Sequence, residues 1–321
     1  MRHVLLMIPL LWATAACGAD PSASDHSGTT GDSGTAQTTD TPSSTSVAEG
    51  GSSDSTGEPD ACTTPLGSGT EPIFTPSPGR FKLRNSIGYR QLTGRVAEGP
   101  PLEFHHEAER SGMCRLLTYE ASTCDPMCAP PGVCIDAQCV TTAPLLSAGT
   151  VTLSGVGTEV IELAQDMFNH YFWDSEAPAE LSMLTLTAAG DVIEPFDLSV
   201  CPVTSPTPTQ DWAAQLQERM PGEAVTLTWS DPVATSRIYL RMTTGIGTHG
   251  GISSVEIECE GPDVGALELP GAYLDALYAQ GWSCGECGGN DLLRYHTDQT
   301  PGGGPTVEFR AEAAASFWHI P

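Results

Sequence analysis

The chain has 321 residues, 40 acidic side chains against 13 basic ones, and a formal net charge of −27. Lysine occurs once, at Lys82. There is no run of cations to hold a phosphate backbone, so nucleic acid and anionic lipid headgroups are not expected partners.

The first residues read MRHVLLMIPLLWATAAC. Arg2 supplies a positive start, and Val4 to Trp12 form an apolar stretch. That stretch is far short of the ~20 residues a helix needs to span a bilayer, but it suits a secretory leader. Small residues Thr14, Ala15 and Ala16 lead directly to Cys17. This resembles a bacterial lipoprotein signal over residues 1–16, with Thr14 standing where leucine is usual. The resemblance implies that Cys17 is acylated and anchors the chain in a lipid bilayer. Ordinary cleavage near Ala16 is the alternative.

Residues 17–61 follow as a Ser/Thr/Gly-rich, acidic segment. Between 18 and 60 there is no Lys or Arg, and Val47 is the one large aliphatic side chain. Such a composition cannot bury enough apolar surface to offset its ordering entropy, which predicts a disordered tether. The tether contains Gly31-Asp32-Ser33-Gly34, the tetrapeptide around a serine-protease nucleophile. A nucleophile needs an oriented base on a rigid scaffold, which a spacer does not supply.

Cysteine usage fits an oxidising compartment. Of eleven cysteines, ten remain if Cys17 is lipidated. These are Cys62, Cys114, Cys124, Cys128, Cys134, Cys139, Cys201, Cys259, Cys284 and Cys287. An even remainder in an exported chain points to a disulfide framework. In CDPMCAPPGVCIDAQC (124–139) the gaps are short and filled with proline and glycine. Zinc cages usually pair two close knuckles across a longer loop. A small loop-rich segment stapled by disulfides is therefore expected within residues 62–143, after some N-terminal strands. Five cysteines fall between 114 and 139, so one must pair outside, with Cys62 the expected partner. Cys201–Cys259 is expected as an inter-strand bridge, and Cys284–Cys287 as a tight local loop rather than a redox motif, since Gly288-Gly289 does not open a helix.

From residue 144 to 321 short β-branched runs alternate with turn signals: 151–157, 181–188, 192–200, 224–230, 236–243, 253–260 and 306–313. In Val225, Leu227 and Trp229 the apolar side chains share one face. The pattern predicts an all-β fold, an antiparallel β-sandwich of Ig-like or jelly-roll-like kind. One helix is expected near Tyr273–Ala279, and Trp212 lies in a second helical-looking stretch. Over most of its length the chain is similar to uncharacterised surface lipoproteins of large-genome Gram-negative bacteria. Those share the tether, the short cysteine-rich segment and the sandwich. The similarity implies a location in the cell envelope and no particular activity.

Three stretches have residues suited to chemistry. Gly245–Gly250 matches a dinucleotide loop, but a strand pattern follows it where a helix is required. His105 and His106 sit among glutamates, yet neighbours on a strand face opposite sides, so one ion cannot easily take both. The aromatic run 168–173 offers Tyr171, Phe172 and Trp173 as a possible platform for a sugar or a partner protein, although alternate rings would face the core. No nucleophile, base and orienting group come together. The expectation is a non-catalytic, envelope-anchored protein with a structural, adhesive or interaction role and no cofactor. Glycans or envelope proteins are possible partners. A carbohydrate-binding module is the first alternative. An exported hydrolase or metal enzyme, with His170, His249 or His296 meeting carboxylates, is the second.

Overall fold

The structure is a computed structural model that describes residues 73–86, 88–176, 180–243, 252–280, 290–300 and 304–317. Among these residues the chain forms nineteen strands and two short helices. The first group is β1 (Gly79–Ser86), β2 (Tyr89–Ala97), β3 (His106–Ser111), β4 (Cys114–Thr118), β5 (Gly132–Ile135), β6 (Gln138–Thr141) and β7 (Leu145–Leu146). Next come β8 (Val151–Val156), β9 (Glu159–Leu163), β10 (Tyr171–Ser175), β11 (Leu181–Ala188), β12 (Phe196–Val200) and β13 (Thr207–Pro208). Helix α1 (Trp212–Glu218) precedes β14 (Val225–Ser230), β15 (Arg237–Thr243), β16 (Val255–Pro262) and β17 (Ala266–Leu269). Helix α2 (Gly271–Ala279), β18 (Asn290–Gln299) and β19 (Val307–Phe317) complete the fold.

A ten-stranded sheet runs β10-β2-β1-β19-β18-β15-β16-β4-β3, with β7 joined to β2. Two smaller sheets pack on one face of it. The four-stranded sheet β12-β11-β8-β9 covers the β10–β19 end, and the three-stranded sheet β13-β14-β17, with both helices, covers the rest. Each contact encloses its own apolar core. The first gathers Phe81, Leu92, Tyr171 and Phe309 against Leu153, Leu186 and Phe196. The second gathers Ile238, Leu240 and Ile257 against Trp212, Leu227, Trp229 and Leu274. The all-β expectation holds, and helices stand where 273–279 and Trp212 indicated.

One joint in the sheet is parallel. β1 pairs with β19 from Gly79↔Val307 to Asn85↔Ala313, which corrects the purely antiparallel expectation. A parallel pair needs a long crossover, and here the rest of the fold supplies it. Strands on both sides of residue 144 consequently share one sheet. Gly94 is needed at this end: it lies opposite Phe81 in the β1–β2 ladder, and a β-carbon there would come within 2.1 Å of the ring.

The disulfides follow the ladders. β4 runs antiparallel to β16 with Cys114 opposite Cys259, and these two are bonded. That corrects both the Cys201–Cys259 pairing and the link from Cys62 into the 114–139 cluster. The reason is register: Cys259 points at its cross-strand neighbour, so it is not the partner of Cys201. Cys124–Cys134 and Cys128–Cys139 staple the β5–β6 hairpin as expected. Three of these sulfurs, from Cys124, Cys128 and Cys139, lie within 4.8 Å of one another, a proximity that two adjacent disulfides account for. Cys201 is also disulfide-bonded. Cys17, Cys62, Cys284 and Cys287 lie outside the described residues, as do the 31–34 and 245–250 motifs. No helix among the described residues is long and apolar enough to cross a membrane.

The Cys114–Cys259 bond closes a sequence separation of 145 residues. Closing so long a loop removes much entropy from the unfolded chain, so replacing both cysteines by alanine is expected to cost about 3–5 kcal/mol. Equilibrium denaturation of the double variant measures it.

Candidate functional site

The other face of the ten-stranded sheet is charged, and the alternation of its strands makes it so. In β1, Phe81 and Leu83 enter the core while Arg80, Lys82 and Arg84 point the opposite way. β19 does the same with Glu308, Arg310 and Glu312, β15 with Arg237, Tyr239 and Arg241, and β16 with Glu256, Glu258 and Glu260. This face is not simply open to water. Residues 73–78 and 98–105 lie over it, and Glu256, Glu260, Glu308 and Glu312 are buried.

Charges taken out of water must be paired and hydrogen-bonded, and nearly all of these are. Glu308 takes Arg80 at 2.5 Å and Arg310 at 2.7 Å, with the Thr297 hydroxyl donating at 3.0 Å. Glu260 takes Arg237 at 2.7 Å and the Tyr295 hydroxyl at 2.5 Å, and it also accepts the backbone N–H of Ile73. Glu256 holds Arg241 at 2.7 Å, with His105 3.4 Å away. Glu258 accepts from Tyr239 at 2.5 Å and from Arg115 at 2.7 Å. Cations also stack: Arg310 lies 3.9 Å above the Tyr295 ring and Arg115 4.4 Å from that of Phe74.

The environment fixes protonation states. Burial pushes the Tyr239 and Tyr295 hydroxyls well above the usual phenol range, and Glu258 and Glu260 beside them add to it. Both tyrosines therefore remain donors. For Glu308, burial alone would raise the carboxyl, but Arg310 and Arg80 outweigh it and hold it below the ordinary value.

Between the covering segments and the sheet lies a cleft of about 600 Å³. Its floor carries Lys82, Arg310, Glu312, Leu293, Tyr239 and Glu258. A second cavity of about 470 Å³ adjoins it over β2 and β10. The two share Pro76, Arg80, Lys82 and Pro101 as lining, so Lys82 stands at their junction.

Two groups on this floor are left over. Lys82, half-buried, makes no hydrogen bond or ion pair among the described residues. Burial lowers its pKa; Glu312 partly offsets this, while Arg80, Arg310 and Arg84 lower it further. Opposite it in the β1–β19 ladder is Arg310, a like charge. Glu312 is 2% exposed, and its Oε2 has no hydrogen-bond partner among the described residues. Its one ion pair, to Arg84, is a loose 3.7 Å.

The residues singled out from the sequence fare unevenly. Tyr171 is not a surface platform. It is 1% exposed and core-packed, its hydroxyl donating to the Gly149 carbonyl at 3.0 Å and accepting from the Ala148 N–H at 2.9 Å. Trp173 packs against the same core. Both face inward because they alternate with Phe172, which is 55% exposed and lines the second cavity. His105, just before β3, and His106, its first residue, diverge. The first reaches the Ser253 carbonyl and the charged cleft, the second Asp136 on the cysteine-rich hairpin. His296 is buried, bonded to Thr235 and to the Cys201 carbonyl, and its pKa is lowered chiefly by that burial. Among the described residues it has no carboxylate partner, and His170 lies on an exposed loop beside Phe172, so these two do not form one centre. His249 lies outside the described residues.

The charged face itself was missed from the sequence. Its signal is the period-two placement of charge in FKLR, RIYLR, VEIECE and VEFRAE, which reads as surface until the strands are assembled. Compared with known proteins, the chain matches no family model and no curated sequence.

A cation destabilised by burial and by neighbouring arginines weakens the fold while it is charged. Because the folded-state pKa of Lys82 lies below its unfolded value, that penalty is full below the folded pKa. It fades as pH rises toward the unfolded value. Lys82→Met should therefore raise the melting temperature at neutral pH by about 2–4 °C, as ~1 kcal/mol does in a domain of this size. It should also remove the alkaline gain. Thermal melts of both proteins across pH check this.

Proposed function

We propose that this protein is a non-catalytic binding module of the cell envelope, anchored by acylated Cys17 and carried on the 17–61 segment. Its ligand lies in the cleft on the charged face. The supporting observation is that cleft's floor, where Lys82 and Glu312 lack full partners beside buried charges that are matched. Folding alone does not favour such groups. A ligand that meets them turns a cost of folding into binding energy, and functional sites commonly trade stability in this way. The other buried charged residues of the cleft are already paired and so act as a preformed, rigid frame. The leader, the oxidised cysteines and the similarity to surface lipoproteins support the envelope location.

Thr93 is exposed on β2, directly opposite Lys82, and lines the second cavity. Thr93→Trp fills the junction without entering the core. A ligand recovered by screening the exported chain against glycan and peptide libraries should bind Thr93→Trp at least about tenfold more weakly; unchanged binding would place the site elsewhere. Separately, Cys17→Ser should move the protein from the membrane fraction to the soluble fraction of its host. Retention in the membrane would remove the anchor from this reading.

A further inference from the structure

Resting on that reading of the cleft, we infer that its ligand is an acidic oligosaccharide, with one sugar carboxylate seated on Lys82 and a neighbouring hydroxyl donating to Glu312. The floor there is a two-part receptor. Lys82, with Arg80 and Arg310 beside it, seeks an anion. Glu312 Oε2, buried and without a hydrogen-bond partner, seeks an O–H or N–H donor. A molecule carrying both groups a few ångströms apart satisfies the pair at once, and a hydroxy acid such as a uronate does so without bringing a second charge.

The rest of the cleft favours a sugar chain over other carriers of that chemistry. The two cavities adjoin across β10 to β4, seven strand spacings of about 4.8 Å each, so a ligand occupying both is extended. An extended peptide that binds by strand addition needs an unpaired strand edge, but this floor is the face of strands already paired on both sides. Its lining includes polar atoms of Tyr239, Glu258 and Arg241 for hydroxyls, and the exposed Phe172 ring in the second cavity suits the apolar face of a pyranose. The net charge of −27 opposes a dense polyanion. A carboxylate on each sugar is sparser, and beyond about 8 Å the repulsion is screened at physiological salt.

The test is calorimetric titration of the full exported chain with a short oligogalacturonate and with its fully methyl-esterified form, which keeps the sugars and removes the charge. The acid is expected to bind, with the ester at least about tenfold weaker. Lys82→Met should bind the acid at least about tenfold more weakly, Lys82→Arg within a few-fold of the parent, and Glu312→Gln several-fold more weakly. Equal binding of acid and ester, or unchanged binding by Lys82→Met, overturns the carboxylate subsite while leaving the cleft as the binding site. Binding of neither form overturns the inference outright. In that case a Thr93→Trp-sensitive ligand of another class from the library screen would still uphold the cleft itself.

Discussion

Pairing of buried charge on one face of the ten-stranded sheet is the constraint on which the molecule depends. Strands β1, β19, β15 and β16, with β18 between β19 and β15, place charged side chains at most alternate positions, and the covering segments take most of those groups out of water. Each then needs a partner at hydrogen-bond distance, since an isolated buried ion costs several kcal/mol. Many of the partners come from adjacent strands, so the charges help to specify strand order alongside the apolar cores. Arg80 meets Glu308 only because β1 lies beside β19, and Arg241 meets Glu256 only because β15 lies beside β16. A one-residue slip would turn these charges into the cores and the core side chains out.

Within this frame, Lys82 and Glu312 stand out because their environment does not complete them. Arg80, Arg84 and Arg310 surround the lysine, and the carboxylate nearest in its electrostatics, Glu312, does not reach it as an ion pair. The frame around them is stiff, since it is built from paired strands and bidentate ion pairs. A ligand there meets groups already in place, and little further ordering is needed on binding. A cleft with two such incomplete groups is suited to capturing a ligand, whereas the tyrosines and carboxylates around it are engaged with one another.

Much of the fold was legible in the sequence because strand alternation is local. The runs around Val151, Leu184, Val225, Ile238 and Ile257 all became strands, and the proline-glycine punctuation of 124–139 did mark a stapled hairpin. The aromatic run 171–173 split inward, outward, inward, as alternation requires, which leaves Phe172 as the exposed ring of the three. What could not be read was pairing between distant segments. Nothing local says that Gly79–Ser86 will lie parallel to Val307–Phe317, and the same ignorance misassigned Cys259. The charged cleft was hidden for this reason too. Its cations are few and scattered through an acidic chain, and only the strand order gathers Arg80, Lys82, Arg241 and Arg310 on one face.

The most direct measurement is the ionisation of Lys82 itself. As the chain's one lysine, it can be reductively methylated with carbon-13 and followed as a single side-chain resonance while pH is varied. A midpoint clearly below that of a free dimethylated lysine, displaced when Thr93→Trp fills the cavity junction, is the expected result. A midpoint at the free value, unmoved by Thr93→Trp, would show an ordinary solvated lysine and contradict the assignment of the charged face as the functional site.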